Sequence, residues 1–380
     1  MAKKILDNTT GYIEGFYGKL LNWDDRYKIV CCLNTNKMNT YLYAPKEDVF
    51  HRKNWRTGYK PIWRKEFKKF TNFSNQNKID VLAGISPGLD FDFKQFYKFL
   101  EKSDDFILLL KKSKSLLKLG AKNIVLMLDD IPDNSELLLN KNISEGRIHG
   151  ILANKLSEKL KRNIYFVPRV YADELAKDQP NYLIDLGKVL NKKTCIFYSG
   201  ANIVSKTIKN NCLINKLFSN KIIFWDNFYA NDYCPRRLFV GPLTGRYNIN
   251  NLMYNLTGLL NTDLLILDII KNTKNKKNPH KIWLKTIEKH GVPIIFNSIK
   301  KFFSFPNFGP NPKFSSFSFS TKYLETIEFL LWSWKTNLSR EWYPFLFGLK
   351  HDLQLTQNLL TYERLIKTQT LALSKHLNKK

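Results

Sequence analysis

Cysteine is scarce in this sequence and poorly arranged for bonding. The five residues, Cys31, Cys32, Cys195, Cys212 and Cys234, are odd in number, and no two stand at C-x-x-C spacing. That argues against a disulfide framework and against a zinc site, and suits a reducing compartment. Long apolar runs are also missing: no stretch has the uninterrupted length of a membrane span, which needs about 20 residues. The opening residues, "MAKKILDNTTGYIEG", carry two lysines with no apolar region of signal-peptide length behind them. A cytoplasmic protein without a membrane partner is expected. No Gly-x-Gly-x-x-Gly follows the first apolar run, which speaks against a dinucleotide-binding fold.

Acidic residues are few. Asp and Glu number 33 against 61 Lys and Arg, a formal charge of +28. The lysines recur along the whole chain and do not collect in one arm, the pattern of a compositional bias. No zinc-finger spacing or RNA-binding signature accompanies them. A specific nucleic-acid partner is therefore not expected, although such a surface attracts acidic macromolecules at low salt.

The chain is globular in composition: 43% of its 380 residues are hydrophobic, enough for one large domain with an extension, or for two domains. Short apolar runs alternate with amphipathic helical stretches. The runs are "YIEGFYG" (12–18), "TYLYAP" (40–45), "DVLAGISPG" (80–88), "NIVLMLDD" (123–130), "IYFVPRVY" (164–171), "CIFYSG" (195–200), "KIIFWDN" (221–227) and a weak last one, "LTGLLN" (256–261). Helices are expected at about 23–38, 62–77, 93–119, 143–161, 181–190 and 206–219. The runs are nearly continuous rather than alternating, as strands covered on both faces are. About eight such units predict an α/β fold, a (β/α)8 TIM-type barrel over residues 1–275, with a doubly wound open sheet as the alternative.

A C-terminal α-helical region is expected over residues 276–380. "KNTKNKKNPHK" reads as a solvated linker, 302–320 as an irregular loop rich in Phe, Ser and Pro, and Tyr323 to about Leu377 as two or three helices. Trp332, Trp334, Trp342 and Tyr343 are expected to pack those helices onto the barrel or onto each other. The same aromatic helices are a candidate dimer interface, and the oligomeric state stays open.

In such a barrel the active site lies at the C-terminal ends of the strands. Several runs end in polar or aromatic residues: Glu14 and Tyr17; Lys46, Glu47 and Asp48; Ser86 and Asp90; Asp129 and Asp130; Tyr171 and Asp173; Trp225, Asp226, Asn227 and Asp232. Any one of these would suit a helix cap or an ion pair. Their recurrence around a ring suits a sugar, whose hydroxyls need polar partners and whose apolar face needs an aromatic floor. In "IVLMLDDIPD" (124–133) two carboxylates adjoin. Mutual repulsion is expected to raise the pKa of one, ready for general-acid work. Successive strand residues face opposite ways, so the pair shares a pocket only where the strand breaks, and Pro132 marks such a break. Two-carboxylate glycosidases place their groups at separated positions. Adjacent ones suit the substrate-assisted exception.

"GYIEGFYG", "NTYLYAPKED" followed by "HRKNWR", "ISPGLDF", "LMLDDI", "IFWDNFYANDY" and "RRLFVGPLTGR" resemble, in order and spacing, glycoside hydrolase family 84. Its members include the protein O-GlcNAcases and bacterial β-N-acetylglucosaminidases. The resemblance covers residues 11 to 261. It implies retaining, substrate-assisted hydrolysis of terminal β-linked N-acetylglucosamine on a protein or glycan, with no metal and no cofactor. Under it Asp129 holds the acetamido N–H and Asp130 is the acid/base. Tyr171 bonds the acetamido oxygen. Gly11 (through its carbonyl), Lys46, Asn227, Asp232 and Asn261 hold sugar hydroxyls, and Trp225 lines the pocket.

The chain departs from the family pattern at Glu47, where Asp is usual, and at Tyr198-Ser199-Gly200, where Trp-Thr-Gly is common. It also departs at Arg169 and Val170, and at Asn261-Thr262 in place of Asn-Pro. Two other function classes remain open: a glycan-binding protein without turnover, which the intact Asp129 and Asp130 argue against, and a charge-driven nucleic-acid binder.

Overall fold

The computed structural model describes residues 8–133, 143–304 and 320–357. Eight parallel strands close into a barrel in chain order. They are β1 (Thr10–Glu14), β2 (Thr40–Tyr43), β3 (Asp80–Ile85), β4 (Asn123–Met127), β5 (Tyr165–Val167), β6 (Cys195–Tyr198), β7 (Ile222–Asp226) and β8 (Leu252–Asn255). Pairing of Thr10 with Leu252 and of Gly11 with Thr40 places β1 between β8 and β2.

The continuous apolar character of the runs has a direct cause. Ile13, Leu42, Val125, Met127, Phe197, Trp225 and Met253 fill the barrel interior. Their neighbours Tyr12, Tyr41, Ile124, Leu126, Ile196, Phe224 and Tyr254 pack outward beneath the helices. Both faces of each strand are dry, as a parallel sheet requires.

The crossover helices are α1 (Trp23–Thr35), α2 (Pro61–Gln76), α3 (Phe93–Phe99), α4 (Asp104–Lys118), α5 (Glu145–Leu160), α6 (Asp173–Ala176), α7 (Pro180–Val189), α8 (Leu213–Leu217) and α9 (Leu260–Thr273). Asn22 caps α1 by accepting from the backbone N–H of Asp25 at 2.8 Å. Ser144 does the same for α5 from Arg147, which satisfies orphan N–H groups at each start.

Three expected elements differ. The helix over 93–119 is broken: Leu100 takes a left-handed φ of 48°, and a new helix opens at Asp104. The break turns Asp105 onto Arg56, whose Nη2 donates to it at 2.7 Å. The helix over 206–219 contracts to α8. The last strand is not 256–261 but β8, just before it. Gly258, at a φ of 71°, turns the chain there, and Leu260 already opens α9.

Beyond the barrel, α10 (Pro279–Lys289) begins inside the expected linker and buries Trp283 and Ile287. Next come α11 (Thr321–Trp332) and α12 (Asn337–Thr356). Trp334 and Trp342 are buried with Phe296 and Phe303, while Trp332 is half exposed. Of the loop expected at 302–320, residues 305–319 lie outside the described residues, as does the helix expected beyond 357. Glu341 of α12 accepts from the backbone N–H and Nδ2 of Asn261 and from the N–H and Oγ1 of Thr262. A carboxylate thus caps the positive end of α9. Among the described residues no helix is long and apolar enough to cross a membrane.

Candidate active site

A cavity of about 740 Å³ opens at the C-terminal ends of the strands. Lys46, Asp129, Asp130, Tyr171, Trp225, Asn227 and Asp232 all line it. The structure therefore brings together seven of the nine residues singled out by the resemblance.

The Asp-Asp pair shares the cavity because the strand ends beneath it. β4 stops at Met127, which faces the interior. Leu128 points outward and Asp129 inward, following strand alternation. Asp130 would point outward, but its backbone is left-handed, with φ of 52°. That turn brings its carboxyl back to the cavity.

Lys46, at the end of β2, sits between the two acids. Its Nζ donates to Asp129 Oδ2 at 2.5 Å and lies 3.7 Å from Asp130 Oδ2. Asp129 Oδ1 is buried and has no partner among the described residues. Asp130, with a third of its side chain exposed, is held differently. Tyr171 donates to its Oδ1 and Tyr17 to its Oδ2, each at 2.8 Å.

This arrangement corrects the expected pKa. Burial pushes the Asp130 carboxyl up, but Lys46, the two tyrosine hydroxyls and Arg52 outweigh it and hold it below the usual range. Like-charge repulsion loses because a cation stands between the acids. Both tyrosines are raised well above their ordinary value by burial and by Asp130, so they remain hydrogen-bond donors.

The far wall comes from β7 and β8. Trp225 Nε1 donates to Asn227 Oδ1 at 3.0 Å, and Asn227 Nδ2 donates to the carbonyl of Ile203 at 3.0 Å. Asp232 Oδ2 accepts from the backbone N–H of Tyr17 at 3.1 Å.

Two expected residues lie elsewhere. Gly11 is inside β1, and a side chain on it would strike the carbonyl oxygen of Thr40. Its glycine serves strand packing. Gly15, one residue past β1, lines the cavity instead, and a Cβ there would come within 2.6 Å of the Trp225 ring. Asn261 is held by Glu341, away from the cavity. Asn255, the last residue of β8, lines it, with Nδ2 donating to Asn227 Oδ1 at 3.0 Å and Oδ1 buried without a partner among the described residues. Tyr17 also lines the cavity. The signal for Asn255 was present: it is the polar residue that ends an apolar run, once the run is taken as "LMYN".

Other strand-end acids support the scaffold. Glu14 pairs with Arg26 and accepts from Tyr41, all buried. Asp226 and Arg246 form a buried bidentate pair. Asp48 accepts from Tyr43, Asp90 from Trp55, and Asp173 from Tyr198. Among the departures, Glu47 accepts from the N–H of Gly18, and Arg169 pairs with Glu145. Ser199 lines the cavity. Among the described residues no group of three or more His, Cys, Asp or Glu is placed to share a metal ion.

Comparison with known proteins gives the same direction. The chain is 29% identical to the protein O-GlcNAcases of Rattus norvegicus and Mus musculus over 259 residues, 66% of this chain. The matched segment spans 27% of the length of either relative. The sequence profile NAGidase, described as beta-N-acetylglucosaminidase, matches residues 10–262, the barrel from β1 to the start of α9. The chain belongs to that family of beta-N-acetylglucosaminidases, glycoside hydrolase family 84.

Proposed function

We propose that this chain removes terminal β-linked N-acetylglucosamine, acting at the chain end and with retention of configuration, through the substrate's own acetamido group. The observation that carries the reading is the buried Oδ1 of Asp129, which has no partner among the described residues. A buried carboxylate oxygen without a donor costs free energy unless a ligand supplies one, and the N–H of an acetamido group is such a donor.

In the proposed first step the acetamido oxygen attacks C1 and the C1–O bond to the leaving group breaks. Asp130, whose carboxyl is held low in the free site, must take up a proton as the substrate binds, and it gives that proton to the departing oxygen. Asp129 holds the N–H and offsets the positive charge of the oxazolinium ring. In the second step Asp130, now a carboxylate, takes a proton from water as that water attacks C1. The oxazoline opens, and the product keeps the β configuration. Tyr171 turns its one hydroxyl proton from Asp130 to the acetamido oxygen, which removes a bond that favours the Asp130 carboxylate. Lys46, Asn227, Asp232 and Asn255 take the sugar hydroxyls, and Trp225 with Gly15 forms the wall. Preorganised groups of this kind act on charge that develops only in the transition state.

The names of the matched relatives, protein O-GlcNAcases, support a protein-borne sugar as substrate. The test is release of 4-nitrophenol from 4-nitrophenyl N-acetyl-β-D-glucosaminide by the wild type, Asp129→Asn and Asp130→Asn. It is followed by release of the sugar from an O-GlcNAc peptide and from chitobiose. Activity that collapses in both variants supports the reading. A folded wild type without turnover rejects it. Faster release from chitobiose than from the peptide rejects the protein-borne substrate.

A further inference from the structure

Arg52 lies in the loop after β2, in the motif "HRKNWR", and no substrate role falls to it above. Its neighbours fix it firmly. His51 is buried and its Nδ1 is 2.9 Å from the carbonyl oxygen of Gly84. Trp55 is buried and its Nε1 donates to Asp90 at 2.8 Å. Between these anchors the guanidinium of Arg52 reaches two acceptors at once. Nη1 donates to the hydroxyl of Tyr17 at 2.6 Å, and Nη2 donates to the backbone carbonyl of Asp130 at 2.5 Å.

Both acceptors bear on the same carboxyl. The Tyr17 hydroxyl in turn donates to Asp130 Oδ2 at 2.8 Å. The Asp130 carbonyl belongs to the residue whose left-handed φ of 52° turns the side chain inward. A left-handed backbone is unfavourable for an L-residue, less so for Asp than for most, so contacts that hold the peptide decide whether the turn is kept. A planar fork with fixed N–H directions imposes geometry better than a flexible ammonium does. Tyr17 also ties this group to the sugar wall, because its backbone N–H donates to Asp232.

We propose that Arg52 is the positioning residue of the acid/base: its fork clamps the Asp130 peptide and the Tyr17 hydroxyl together and so keeps the Asp130 carboxyl turned into the cavity. The inference rests on the reading of Asp130 as the acid/base. Loss of the clamp impairs protonation of the leaving oxygen and leaves sugar recognition and the acetamido attack in place. The effect must therefore depend on how much the leaving group needs a proton.

The experiment measures kcat/KM for a series of aryl N-acetyl-β-D-glucosaminides, from phenyl (poor leaving group) to 2,4-dinitrophenyl (good). The proteins are the wild type, Asp130→Asn, Arg52→Ala, Arg52→Lys and Tyr17→Phe, each checked for folding by thermal melting. Arg52→Ala is expected to lose about 10- to 100-fold on the phenyl glycoside, part of the acid's full contribution, and less than about threefold on the dinitrophenyl one. Arg52→Lys is expected to fall between wild type and Arg52→Ala. Tyr17→Phe, which keeps the ring, is expected to tilt the series the same way and carries the test if Arg52→Ala does not fold. An equal loss across the series, or no loss, overturns the role of Arg52 while the steep slope of Asp130→Asn stands. A shallow slope in Asp130→Asn overturns the acid/base reading itself, and a wild type without activity overturns the proposed function.

Discussion

Lys46 Nζ lies 2.5 Å from Oδ2 of Asp129, and the two side chains are 2% and 8% exposed. The ion pair is thus almost wholly out of water. It occupies one oxygen of Asp129 and leaves the other, also buried, without a donor among the described residues. One residue is therefore neutralised and still incomplete. That state combines two requirements of the site: a charge that survives burial, and an acceptor held ready for one donor.

Removing one half of this pair should cost more than removing both. Lys46→Met leaves an unpaired carboxylate in the barrel mouth, which typically destabilises by about 3–5 kcal/mol. The double variant Lys46→Met/Asp129→Leu removes both charges and should regain most of that loss. Chemical denaturation of the single and double variants measures it. A double variant no more stable than Lys46→Met would mean that the pair is not mutually compensating.

The pH dependence follows from the direction of the Asp130 shift. Its carboxyl is held low in the free site despite burial, through Lys46, Tyr17, Tyr171 and Arg52. Tyr17→Phe and Tyr171→Phe each delete a hydrogen bond that favours the carboxylate, so each raises the Asp130 pKa. The alkaline limb of the kcat/KM profile, which reports the free enzyme's acid, should move to higher pH in both variants. A move to lower pH would show that the limb belongs to another group. Tyr171→Phe should also lower the plateau, because it takes one bond from the acetamido oxygen.

The barrel and most of its mouth were legible in the sequence, and the reasons are local. Strands covered on both faces leave continuous apolar runs, and seven runs were found at their true places. Asp129, Lys46 and Trp225 end such runs and point inward by simple alternation. The errors arose where alternation gave way to tertiary contacts. "LTGLLN" is more apolar than "LMYN", so the wrong segment was taken as the eighth strand and Asn261 stood in for Asn255. Gly11 and Gly15 belong to one motif, and only the strand's end point separates them. The left-handed turn at Asp130 and the Arg52 clamp involve residues far apart in the chain, and no periodicity encodes them.

The two asparagines offer a clean contrast. Asn255→Ala removes a cavity amide whose Oδ1 is buried without a partner among the described residues and whose Nδ2 donates to Asn227. Its KM should rise at least about tenfold, the cost of about one hydrogen bond to a buried polar group. Asn261→Ala removes a helix-cap contact to Glu341. It should cost about 1 kcal/mol of stability and leave KM within about twofold. Steady-state kinetics and melting on the two variants check this, and a reversed pattern would return Asn261 to the cavity.

Two buried histidines lower the stability of the fold at acid pH. His51 and His149 are fully enclosed, and burial, with Lys46 nearby in one case and Arg169 in the other, pushes each down to about 3. An unfolded histidine titrates near 6.5. The unfolded chain therefore binds more protons at any pH between these values, and stability falls as pH drops from about 6.5 toward 3. At pH 5 each histidine should have cost about 2 kcal/mol relative to pH 7. Neither ring has a partner on Nε2 among the described residues, so nothing there rewards the charged form. His149→Gln, which keeps a polar contact to Tyr182 without a titrating ring, should flatten about half of that slope. Denaturant midpoints from pH 5 to pH 7.5 measure it. An unchanged slope in His149→Gln would mean that this ring is protonated, or exposed, in the folded protein.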